Sequence, residues 1–328
     1  QVDLLTGPFI FTFAMLTIMI GGWGIAEMAE SSLFHVVVAS KQRSKTVSYR
    51  VFVGGLAFVV TLLIGNKLYE ANLGLPFWIG AGFYAITLVL YSIVIKEPEH
   101  STFVEEKEEE SKPFFTRVKD AFATFTPDHK SAFLKIGIAK FLLIFGVMAF
   151  QTYASSYLVN ELGITEAEAG NYVAIFFAGY MVAAIPSGFT ANRIGRKRLL
   201  LIFLALYTFV GFFEFFLGSP ATLIPAFILV GMSTSASDII PLAMAADTAP
   251  SKQVMGMTMG FYFFIATMSA IISVPFFGWV FEMTNNNYNL MWLGVGIAGV
   301  IGFLVMLSKK GTLGEAVEGQ ATVVPEAF

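Results

Sequence analysis

GFTANRIGRKRLL, residues Gly188–Leu200, holds four basic side chains and no acidic one, and it joins two long apolar runs, Ala167–Ala191 and Leu199–Leu217. A run of about 20 apolar residues is the length that crosses a hydrocarbon layer as a helix. Lys and Arg gather in the short loops on one side of a membrane, so this stretch reads as a tight connection between two spanning helices. The rest of the chain agrees: 328 residues, 56% hydrophobic, 13% charged, mean hydropathy +0.73. In lipid every backbone N–H and C=O must be satisfied inside a helix or a closed barrel. The runs are too long and too continuous for the alternating strands of a barrel, so the expected fold is all-α and embedded in a membrane.

Outward from that stretch, about nine spans are expected: Pro8–Val38, Val51–Gly65, Leu75–Ile95, Ala132–Val159, Ala167–Ala191, Leu199–Leu217, Ala221–Ala246, Val254–Phe281 and Asn289–Leu307. SKQRSKTVSYR, the segment 96–131, NRIGRKR, PSKQ and SKKG carry nearly all the Lys and Arg, while NKLYEANLG, NELGITE, GSPAT and EMTNNNYN carry almost none. This alternation orients the chain with its C-terminus cytoplasmic, as a multi-pass protein of the cell membrane. An odd span count that starts outside, on a chain opening at Gln1, suggests that three spans precede residue 1.

The segment 96–131 contains EEKEEE at Glu105–Glu110, a solvated linker because like charges repel. PFFTRVKDAFATF follows, with Phe114, Phe115, Val118, Phe122 and Phe125 near helical spacing, the pattern of an amphipathic helix on the membrane surface. The expected units are therefore 1–95, a helix bundle; 96–131, a cytoplasmic linker; 132–307, a six-helix bundle; and 308–328, a cytoplasmic tail.

Gly188, Arg193, Gly195, Arg196 and Lys197 resemble the loop signature of the major facilitator superfamily, Gly-x-x-x-Asp-Arg-x-Gly-Arg-Arg/Lys, with Asn192 standing where the family carries Asp. The resemblance implies a twelve-helix fold of two related halves joined by a long loop, of which the nine spans look like the last nine. It also implies a cytoplasmic gate in which Arg193 meets Asp247, within the Ala-Asp-x-x-Pro at the end of the seventh span. KEPE after the third span is weakly similar to the sucrose/proton and glycoside cation symporter groups.

Charges at membrane depth cost about 2.5–3.5 kcal/mol on insertion scales and are functional candidates. Glu27 and Glu30 lie one turn apart on a face shared with Trp23 and Phe34. Two neighbouring carboxylates repel and burial disfavours their charge, which suits one of them to carry a proton. Asp238 lies in mid-span, near Thr234 and Pro241. Lys140 is about 12 Å inside the fourth span at 1.5 Å per residue, free either to pair or to reach back to the interface. Gln151, Tyr153 and Ser156 put polar groups where a lipid-facing helix has none. Glu214 is expected at an exposed outer end.

With no cysteine, thiol chemistry is absent, and His35, His100 and His129 lack metal-site spacing. No Walker loop, His-Glu-x-x-His or Gly-x-Ser-x-Gly occurs, so neither an enzyme nor a cofactor is expected, and no nucleic-acid partner. The expected function is transport of a small organic solute, such as a sugar, coupled to a proton or other cation. Multidrug or metabolite efflux is the alternative within the class, and a receptor or membrane enzyme the alternative outside it.

Overall fold

The computed structural model describes residues 26–27, 30–31, 33–34, 38–72, 74–94, 114–251 and 254–308. Among these residues nine helices follow one another: α1 (Ser40–Ala71), α2 (Leu75–Val94), α3 (Phe114–Thr124), α4 (Pro127–Asn160), α5 (Glu166–Ile194), α6 (Arg196–Leu217), α7 (Leu223–Asp247), α8 (Met255–Met283) and α9 (Leu290–Leu307). Seven of them, α1 and α4 to α9, contain segments long and apolar enough to cross a membrane, and α2 carries a shorter apolar stretch, Phe77–Ile93. The chain is an integral membrane protein of multiple spans. Most of the first expected span, with Trp23, and the acidic run lie outside the described residues.

Several helix ends depart from the hydropathy reading. SKQRSKTVSYR is not a loop: α1 starts at Ser40, eleven residues before Val51, and runs through NKLYEA to Ala71. Helix α4 starts at Pro127 and not at Ala132. There Thr126 caps the helix by accepting from the His129 N–H, Pro127 fills the first turn and Asp128 faces the positive helix end. Hydropathy reports where lipid begins, whereas capping chemistry reports where the helix begins. NRIGRKR likewise contains a single non-helical residue, Gly195, whose φ of 92° closes α5 and opens α6.

Helix α5 lies between α7 and α1, α9 packs on α6 and α4, and α8 packs on α4. The α5–α7 contact is close because glycines face backbone: a Cβ on Gly231 would stand 2.9 Å from the Tyr180 nitrogen, and one on Gly179 would stand 2.5 Å from the Ile228 carbonyl oxygen. Phe150 knits the six-helix region together, its ring 4.8 Å from Phe227, 5.1 Å from Trp292 and 5.4 Å from Phe176. Phe122 of α3 packs edge-on to Phe261 of α8 and Phe133 of α4, tying α3 to the bundle.

Candidate functional site

Lys140 and Asp238 meet. Lys140, about 20 Å into α4 at 1.5 Å per residue, is buried, and its Nζ donates to Asp238 Oδ1 at 2.5 Å. The α7 backbone supplies a second acceptor, because Pro241 has no N–H and so leaves the carbonyl four residues earlier without its helical partner. That carbonyl is Ser237, and Lys140 Nζ donates to its oxygen at 3.4 Å. Tyr262 of α8 places its ring 5.9 Å from the ammonium. Tyr180 of α5 donates its hydroxyl to Asp238 Oδ2 at 2.9 Å. Four helices thus converge on one ion pair. From Ser233 to Ala246 every residue of α7 is buried except Asp238, whose side chain keeps 30% exposure.

Glu27 and Glu30 also share a partner, although it is not the one expected. Arg50 of α1 donates to Glu27 Oε1 at 2.5 Å and lies 3.3 Å from Glu30 Oε1. The two carboxylates are bridged by a guanidinium, which relieves the repulsion predicted between them.

At the basic end of the bundle Asp247 is clasped from two sides. Its Oδ1 accepts from Arg43 of α1 at 2.7 Å and its Oδ2 pairs with Arg196 of α6, whose Nε donates to Ser44 at 2.9 Å. The expected partner was Arg193, which is exposed, as are Asn192 and Gly195. Gly195 explains the difference. The break there turns Arg193 away in the last turn of α5 and starts α6 at Arg196, against α7. Gly188 faces α1, where a Cβ would stand 2.6 Å from the Ser44 carbonyl oxygen, so its small size lets the two helices touch. Lys197 reaches the Ser308 carbonyl oxygen at 3.4 Å.

Other expected residues lie elsewhere. Tyr153 donates to the Val274 carbonyl oxygen at 2.8 Å and packs on Phe281 and Tyr288. It and the half-buried Gln151 stand about 16–20 Å along α4 from Lys140 at 1.5 Å per residue, so neither joins the ion pair. Glu214 was expected to be exposed and is 2% exposed instead, because the turn after α6 folds back and covers it. Arg50, Tyr180, Tyr262 and Arg43 were missed. Arg43 and Arg50 fell in a stretch read as loop, and the tyrosines sit in apolar runs without a distinguishing spacing.

A helical bundle with ion pairs held between spans at depth defines a polytopic membrane protein organised around a polar interior. A sequence model of the Major Facilitator Superfamily matches residues 136–322, more than half of the chain. Two solved structures share the fold over 86% of this chain and 72% of theirs. They are the Major Facilitator Superfamily transporter FucP in the outward conformation, at TM-score 0.68 and 13% identity, and a variant of the E. coli fucose:proton symporter FucP, at 0.64 and 16%. A curated relative, "Probable anion transporter 7" of Oryza sativa subsp. japonica, is 32% identical over 57 residues, 17% of this chain and 13% of that protein's length. The chain belongs to the Major Facilitator Superfamily.

Proposed function

We propose that the protein is a secondary transporter that moves a small organic solute by alternating access, and that a proton is coupled to the movement through the Asp238 network. The observation that carries this reading is the partial exposure of Asp238 at mid-depth in the otherwise buried stretch Ser233–Ala246 of α7. A carboxylate there is reachable from the space between helices and is balanced by a lysine on a neighbouring span.

The charge count supports a coupled cation. Among the described residues Asp238, Glu27 and Glu30 make three carboxylates against the two cations Lys140 and Arg50, a surplus of 3 − 2 = 1 negative charge. One bound proton balances it. Protonation at Asp238 would release Lys140 toward Ser237 O, and protonation at Glu30 would loosen the longer of the two Arg50 contacts. The fold likeness to a fucose:proton symporter agrees with this reading.

In this reading the Arg43–Asp247–Arg196 clasp closes the basic end, and the excess of Lys and Arg there supports a cytoplasmic orientation. It joins α1, on one side of the linker, to α6 and α7 on the other. Its release is the step that opens that end.

Purified protein in proteoliposomes, offered a panel of neutral sugars, organic anions and amines with and without an inward proton gradient, tests the proposal. The expected result is gradient-dependent accumulation of one solute class that Asp238→Asn abolishes. Accumulation that ignores the proton gradient, or that survives Asp238→Asn undiminished, sinks the coupling assignment. Absence of any solute flux, inward or outward, sinks transport itself.

A further inference from the structure

At the opposite end of the bundle a cavity of 440 Å³ opens among α4, α6 and the turn into α9, lined by Tyr157, Glu161, Glu214, Phe215, Asn287 and Asn289 among others. It lies about 27 Å along α6 from Arg196 at 1.5 Å per residue, well removed from the clasp. Its lining includes two carboxylates and no basic side chain.

Two acceptors in that lining are short of donors. Glu214 is 2% exposed, and among the described residues its partner is the Thr222 hydroxyl at 3.2 Å. That hydroxyl has a single proton, and the Ser219 carbonyl oxygen competes for it at 2.8 Å. Asn289 donates its Nδ2 to the Phe215 carbonyl oxygen at 3.2 Å, which fixes the amide orientation, and leaves its buried Oδ1 without a partner. The Asn289 Oδ1 is thus a buried acceptor left unmet, which is costly, Glu214 has only a shared donor, and both residues line the same space.

We infer that this cavity is a binding site for an organic primary ammonium, whose N–H groups serve Glu214 and Asn289 while its carbon skeleton lies against Tyr157 and Phe215. Charge selects the class, since the lining carries carboxylates with no opposing cation. Its volume is in the roughly 300–1,000 Å³ range of small-molecule pockets, and among the described residues no group of three or more His, Cys, Asp or Glu side chains could hold a metal ion.

The chain purified in a neutral detergent and an amine-free buffer is titrated with propylammonium chloride, with n-propanol, tetramethylammonium and calcium chloride as comparisons, followed by calorimetry and by thermal unfolding. Propylammonium is expected to bind saturably and to raise the unfolding temperature, with n-propanol and tetramethylammonium at least tenfold weaker. Glu214→Gln should weaken propylammonium at least tenfold, Glu161→Gln at the exposed rim several-fold, and Asp128→Asn, exposed at the other end of α4, not at all. Should Glu214→Gln fail to fold, Glu161→Gln decides. Equal binding of n-propanol, preference for calcium, or unchanged affinity in the folded carboxylate variants overturns the assignment. In nanodiscs, weaker propylammonium binding with phosphatidylethanolamine than with phosphatidylcholine would support the ammonium and name a lipid headgroup as its source. Equal binding in the two lipids would support a free amine.

Discussion

An ammonium about 20 Å into a spanning helix starts from an insertion cost of about 2.5–3.5 kcal/mol, and at Lys140 the Asp238 carboxylate, the Ser237 carbonyl and the Tyr262 ring together offset it. Removing one partner of a buried pair strands the other, at a cost of about 3–5 kcal/mol when burial is complete; the 30% exposure of Asp238 reduces that. Lys140→Met is therefore expected to unfold at a lower temperature in detergent than the double variant Lys140→Met with Asp238→Asn, as thermal scans of both can check. A double variant no more stable than the single one would mean that the pair is not coupled. Pro241→Ala restores an N–H to α7 and lets the Ser237 carbonyl return to the helix ladder. Coupled uptake should then fall without loss of fold, measured as accumulation per folded molecule. Sequence marked Lys140 and Asp238 separately, each as a charge out of place. Their pairing, across 98 residues, was not legible, because depth along a helix carries no record of which helix lies opposite.

Among the described residues the order of the helices after the first expected span was legible, because lipid imposes a continuous apolar length on each span, a signal that needs no partner. Helix ends were less so: the true starts at Ser40 and Pro127 lie beyond the apolar runs, in polar sequence that hydropathy assigns to loops. Thr126-Pro127-Asp128 was the available signal for α4. Closeness between elements rests on single glycines. Gly231→Ala puts a Cβ against the α5 backbone, which cannot yield as a side chain can, and overpacking costs about 1–3 kcal/mol. Its unfolding temperature in detergent should drop well below that of Gly54→Ala or Gly80→Ala, where nothing lies within 4 Å of the added carbon. Similar behaviour of all three variants would show that α5 and α7 can separate without loss.

At the scale of the molecule, α1 meets α5 and α7 along one seam, and the Arg43–Asp247–Arg196 clasp lies at its basic end. Accessibility of that end to a membrane-impermeant thiol reagent is readable at any single introduced cysteine, since the chain has none of its own. Asp247→Asn removes both ion pairs and should raise labelling at least several-fold; the three side chains are 6–16% exposed, and breaking a pair that is largely buried costs more than the about 0–1 kcal/mol of a surface pair, enough to shift a balanced two-state equilibrium by that factor. Unchanged labelling would remove the clasp from the gate. Asymmetry in the clasp carries a kinetic consequence. In the opening proposed above, Arg43, on α1, would depart with one half, whereas Arg196 and Asp247, on the same side of the linker, would travel together. The carboxylate would then not be left bare, and the barrier would omit the desolvation and re-pairing of a lone buried charge. Arg43→Gln should change mainly how often the end is open, and Arg196→Gln mainly how fast it opens and closes: the first substitution moves a population, the second a rate constant.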